Sequence, residues 1–152
     1  MPVYRSLEEA HKKCVEQGYL IAAEKIDIAK VRQNLLISDE DLESANDLLT
    51  RKRWNSSYKL LYDALHVLVE SLLSFDMVKS SNHQCLFAYL CHNHPELKLS
   101  WEFFEKLRTK RNGINYFAKA VSRDDFKEME VQTKVYIQTI RTVINEKLLQ
   151  SQ

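Results

Sequence analysis

The chain has 152 residues, 45% apolar and 28% charged, which is enough for one domain with a buried core and globular rather than disordered in composition. Its 22 Lys and Arg stand against 21 Asp and Glu for a net charge of +1, so any affinity for nucleic acid or an anionic membrane has to come from local clustering. No apolar run approaches the roughly 20 residues that span a bilayer, and no membrane association is expected.

Two glycines and two prolines leave few breaks, and β-branched alternation is nowhere sustained, so the reading is all-α. Met1 to Glu16 carries Glu8, Glu9, Lys12 and Lys13 and does not read as a secretory signal. Ser6-Leu7-Glu8-Glu9 is an N-cap followed by first-turn acids, opening a short helix that stops near Gly18. A second helical run spans about Ala22 to Leu36. Ser38-Asp39-Glu40-Asp41 caps a third, with Leu42, Ala45, Leu48 and Leu49 at helical spacing and an end at Arg51-Lys52-Arg53. Trp54, Tyr58, Leu61, Leu65, Leu68, Leu72 and Phe75 recur at threes and fours and define a long core helix. Ser80-Ser81-Asn82 caps a helix through Cys91, closed by His92-Asn93-His94-Pro95. Ser100 caps the next. Ser122-Arg123-Asp124-Asp125 precedes a last helix from about Phe126 to Leu149, with Met129, Val135 or Tyr136, Ile140, Val143 and Leu148 as its stripe. The expected architecture is an up-and-down bundle of four or five helices over residues 38–152, preceded by an N-terminal helical extension, residues 1–37.

Polar groups concentrate at Arg108-Thr109-Lys110-Arg111-Asn112-Gly113-Ile114-Asn115-Tyr116. Gly113 costs about 1 kcal/mol relative to alanine inside a helix, which predicts a close backbone approach or a local bend there. Phe104, Leu107, Arg111 and Ile114 follow at three, four and three residues, so Arg111 lies on the apolar seam. A desolvated guanidinium needs a carboxylate, a carbonyl or an anionic ligand; Arg111 is therefore an ion-pair member or an anion-binding group. Lys59, Asp63, His66 and Glu70 form a polar strip on the core helix. Asp63 and Glu70 are the expected carboxylates facing Arg111, and His66 is a candidate acid or base. Lys59 reads as part of a solvated face.

Lys106, Arg108, Lys110 and Arg111, extended by Lys119 and Arg123, form a basic patch suited to phosphates, with Tyr116 and Phe117 available for base stacking. Three cysteines, Cys14, Cys85 and Cys91, are an odd, sparse set for a disulfide framework and fit a reducing compartment, making a cytoplasmic location the expectation. Cys85, Cys91, His92 and His94 lack zinc-ligand spacing, and no phosphate loop or hydrolase motif occurs, so no metal and no cofactor are expected.

These residues resemble the HEPN superfamily, small all-α domains often encoded beside minimal nucleotidyltransferases. The resemblance covers Ser38 to Leu149. It rests on Trp54-Asn55-Ser56-Ser57-Tyr58 leading into Tyr62-Asp63-Ala64-Leu65-His66 and Glu70, on Lys79-Ser80-Ser81-Asn82-His83, and on Leu107-Arg108-Thr109-Lys110-Arg111-Asn112. Active members are RNases in which an R-x₄₋₆-H motif from two protomers meets at a dimer cleft. Counting from Arg111, this chain offers Tyr116, Phe117 and Ala118, and from Arg108, Gly113, Ile114 and Asn115. No register supplies a histidine. Arg111 with Asn115-Tyr116 is more similar to the variant in which an amide or acid and a tyrosine follow the arginine.

The resemblance implies a homodimer that binds RNA or nucleotide phosphate within a toxin–antitoxin or defence pair. Arg111, Asn112 and Tyr116 hold the catalytic positions, and Arg108, Lys110, Asn115, Asp63, His66 and Glu70 the surrounding binding positions. If catalytic, the site is that of a metal-independent endoribonuclease, with Arg111 on the phosphorane charge and His66 assisting. A phenol of pKa near 10 is a poor base at neutral pH, and Tyr116 is alternatively a nucleotidyl acceptor. The competing reading is a non-catalytic dimerisation or adaptor module that docks a nucleotidyltransferase partner.

Overall fold

Ser6 accepts a hydrogen bond from the Glu9 amide at 3.2 Å and opens α1 (Leu7–Glu16) in a computed structural model that describes residues 3–151. Met1 and Pro2, at the start of the expected extension, and Gln152, at the end of the expected bundle, lie outside the described residues. The helix ends before Gly18, whose φ of 73° is a conformation glycine adopts without strain. The chain then makes a two-residue antiparallel bridge, β1 (Ile21–Ala22) with β2 (Val78–Lys79), pairing Ile21 with Lys79 and Ala22 with Val78.

Asp27, not Ser38, starts the next helix: its carboxylate accepts from the Lys30 amide at 3.0 Å, and α2 (Ile28–Thr50) runs unbroken for 23 residues. The expected break at Ser38, and with it the expected boundary between residues 37 and 38, falls inside this one helix. Val31, Asn34, Ser38 and Ala45 are its buried residues, so the core-facing stripe passes straight through Ser38. The acids that followed it looked like a cap, but the Ser38 hydroxyl is fully buried and donates to the Ala64 carbonyl at 2.8 Å. Asp39 instead pairs with Arg141.

A tight connection with Lys52 at φ 58° leads into α3 (Trp54–Phe75). This is the core helix predicted from spacing, and Tyr58, Leu61, Leu65, Leu68 and Leu72 are all buried. It packs against α2, and also against α4 (His83–Asn93), α5 (Trp101–Phe117) and α6 (Arg123–Gln150). Asn82 caps α4 through the Cys85 amide, and Ser100 caps α5 through the Phe103 amide. Ser122 and Asp125 form a reciprocal capping box on α6. On α6 Tyr136 faces the core, whereas Val135 is exposed. The result is an all-α bundle with one very small strand pair. Among the described residues no helix is long and apolar enough to cross a membrane.

Two expectations are corrected here. Cys14 of α1 and Cys85 of α4 form a disulfide with their Cα atoms 5.6 Å apart, leaving Cys91 free and buried. An odd cysteine count is compatible with one bridge plus one core thiol, so these cysteines do not point to a reducing compartment. Gly113, for its part, is buried in regular helix. A Cβ there would meet the Lys119 Cβ at 3.5 Å, an ordinary contact, so neither close approach nor bend requires glycine. Its carbonyl accepts the Lys119 amide at 2.9 Å as the chain leaves α5 through Ala118, at φ 52°.

Candidate functional site

Residues 104, 107, 108 and 111 share one face of α5, and the two arginines among them are satisfied differently. Arg108 is the deeper, with 4% of its surface exposed. Its Nε and Nη2 both reach the Glu105 carboxylate at 3.0 Å, and Glu105 also accepts from Gln84 Nε2 of α4 at 2.9 Å. Arg108 is thus the ion-pair member that spacing had suggested for Arg111.

Arg111 is half-buried and, among the described residues, has no carboxylate within ion-pair distance. Its guanidinium lies 5.0 Å from the centre of the Tyr62 ring, a favourable cation–π arrangement. Nη1 reaches Asn112 Oδ1 at 3.4 Å, while Nε is buried with no hydrogen-bond partner among the described residues. Arg111 lines two recesses. One, of about 440 Å³, is shared with Lys59, Asp63 and Asn115. The other, of about 1230 Å³, includes His83, Arg108, Asn112 and Tyr116, with Tyr4 and Arg5 of the N-terminal strap at its wall.

Behind Arg111 lies a ring cluster that joins α3 to the start of α4. The Tyr62 hydroxyl is 2.9 Å from His83 Nδ1, and His66 stacks on His83 at 3.8 Å between ring centres. His66 is pushed down to about 4 by burial and then by the Arg111 charge. His83 is also pushed down to about 4, by burial first and then by His66, Arg111 and Arg108, with Glu70 opposing. Burial raises the Tyr62 phenol and the Asp63 carboxyl, against the pull of Arg111 on both.

The two imidazoles have folded-state values below their ordinary 6.5, so the unfolded chain binds more protons between pH 4 and 6.5. Their contribution to stability is complete above pH 6.5 and is lost as pH falls toward 4. Chemical denaturation across this range should show a shallower acid loss in His66→Phe than in wild type. Equal slopes would mean that His66 is not held neutral.

Of the residues singled out from sequence, Arg111, Asn112, Arg108 and Tyr116 border the larger cleft, and Asp63 and Asn115 border the smaller recess beside Arg111. His66 lines neither and stacks on His83, which lines the larger cleft. Glu70 makes no ion pair with Arg111 among the described residues and pairs instead with Lys30 at 3.6 Å. Half of the basic patch is neutralised: Lys106 pairs with Glu128 and Lys110 with Asp125, besides Arg108 with Glu105. Tyr116 and Phe117 are 68% and 67% exposed, two neighbouring aromatics at the end of α5. The cysteines and histidines from Cys85 to His94 are engaged separately: Cys85 is in the disulfide, Cys91 is buried, His92 stacks on His11, and His94 bridges Asp76 and Glu96.

His83, which lines the larger cleft, is not among the residues that the sequence singles out for the site. Its one local signal was its place just after the Asn82 cap, and nothing nearby in sequence points to Tyr62 or Arg111. No family model matches the chain, and no curated protein matches it. Fold and site define a helical bundle with an arginine–histidine cleft.

Proposed function

We propose that the cleft beside Arg111 binds the phosphate of RNA or of a nucleotide, in a HEPN-like homodimer acting within a toxin–antitoxin or defence pair. The observation that carries the phosphate reading is the state of Arg111. Among the described residues, a half-buried guanidinium with no carboxylate within ion-pair distance and a buried Nε without a hydrogen-bond partner favours an anion at the cleft wall. Asn112 and Asn115 add neutral donors that suit phosphate oxygens, and the exposed rings of Tyr116 and Phe117 suit base stacking. The homodimer and the paired system rest on the family resemblance alone.

Fluorescence anisotropy with a short single-stranded RNA tests this reading. Binding by the pure protein weakens as salt rises, and Arg111→Ala weakens it by about tenfold to a hundredfold, the range for a lost hydrogen-bonded charge. The fold survives, because no carboxylate loses its partner. Undiminished binding by Arg111→Ala, or wild-type protein with no salt-sensitive affinity for RNA or nucleotide, defeats the proposal.

A further inference from the structure

Unlike His66, His83 lines the large cleft together with Arg108 and Arg111. Its Nδ1 is engaged by Tyr62 at 2.9 Å. Tyr62 is fully buried, and its hydroxyl has no other partner among the described residues. A buried phenol satisfies its O–H by donating, so before an anion binds Nδ1 accepts and the imidazole hydrogen belongs on Nε2. His66 stacks against the ring and fixes its plane. The neutral side chain is therefore held as a hydrogen-bond donor in the same cleft as a guanidinium that has no carboxylate within ion-pair distance among the described residues.

We propose that His83 is a second anchor for the bound anion: Nε2–H bonds a phosphoryl oxygen held by Arg111, and as that anion binds the imidazole takes up a solvent proton at Nδ1, where the Tyr62 hydroxyl turns from donor to acceptor. This rests on the reading of the cleft as a phosphate site and adds to it a residue and a proton. Charges from each neighbouring element bear on the ring. On α5, Arg108 and Arg111 oppose a positive His83, with Glu105 already committed to Arg108. On α3, His66 opposes it, Glu70 favours it, and Tyr62 holds Nδ1. Arg5 of the N-terminal strap lines the same cleft. An anion placed among these groups offsets the arginine charges, and the imidazole gains the proton that they otherwise disfavour.

The oxygens of an RNA phosphodiester and of a free or terminal phosphate share this chemistry. Calorimetric titration separates them, using diuridine monophosphate for the diester and inorganic sulfate for the dianion. Neither probe titrates between pH 5 and 7. Run in two buffers of different ionisation heat, the titration reads proton uptake directly. Uptake should rise toward about one proton per bound anion as pH falls from 7 to 5. His83→Gln abolishes the uptake and weakens binding by about tenfold to a hundredfold. Uptake with diuridine monophosphate assigns the diester, and uptake with sulfate alone assigns a terminal phosphate. Should the variant fail to fold, nitrogen chemical shifts of wild-type His83 decide instead, moving from the Nε2–H form to imidazolium when the anion is added. Arg111-dependent binding without proton uptake leaves the phosphate site standing and overturns the role of His83. Uptake that persists in His83→Gln overturns it as well, and no binding of either probe removes both readings.

Discussion

Loss of the Cys14–Cys85 disulfide, by reduction or by the paired substitutions Cys14→Ala and Cys85→Ala, is expected to lower the free energy of unfolding by about 4 kcal/mol. The bridged cysteines are 71 residues apart, and a crosslink closing a loop of that size removes conformational freedom mainly from the unfolded chain. The folded side adds a local effect. With ten residues, α1 is too short to be stable alone. Besides the bridge, its ties to α4 include buried Ala10, the stack of His11 on His92 at 3.8 Å, and a 3.3 Å contact between Asn93 and His11. Urea denaturation with and without a dithiol reductant measures the global term, and amide exchange in α1 measures the local one. An unchanged midpoint together with unchanged exchange would show that the crosslink contributes nothing.

Arg108→Ala is expected to cost about 3 kcal/mol, within the range for breaking a buried ion pair from one side. Arg108 is 4% exposed and holds both oxygens of Glu105, the carboxylate that also accepts from Gln84. Removing the cation leaves that carboxylate, 24% exposed, without its counter-charge between α5 and α4. The double variant Arg108→Met with Glu105→Leu deletes both charges and fills the space, so it should recover most of the loss. A double-mutant cycle reads the coupling. A single variant costing under about 1 kcal/mol, or a double variant no better than the single, would show that the pair is not what secures this contact.

Local chemistry in the sequence located most helix starts. Ser6, Asn82, Ser100 and Ser122 each offered a side-chain oxygen at the right place, and each caps a helix. The repeating apolar spacing from Trp54 identified the helix that sits at the centre. Ser38 misled for the same reason that the others succeeded: its hydroxyl and the following acids resemble a cap, but its partner is a carbonyl 26 residues away. Distance along the chain also hid the Cys14–Cys85 bridge and the meeting of Tyr62 with His83. Arg111 was legible as a misplaced charge on an apolar seam. That Arg108 lies deeper and takes Glu105 was not, because a period of 3.6 places both arginines on one face and leaves packing to choose between them.

The polar side chains buried between α2 and α3 act as a ruler. Leucines spaced along a helix tolerate a slide of one turn, since each apolar contact is replaced by a similar one. The Ser38 hydroxyl on the Ala64 carbonyl, Asn34 on Ser71 at 2.9 Å, and Ser57 on the Ala45 carbonyl at 2.8 Å tolerate no such slide. A shift of about 5.4 Å would leave these buried groups unsatisfied at once. One alignment of α2 against α3, the helix that carries Tyr62, Asp63 and His66, is thereby selected.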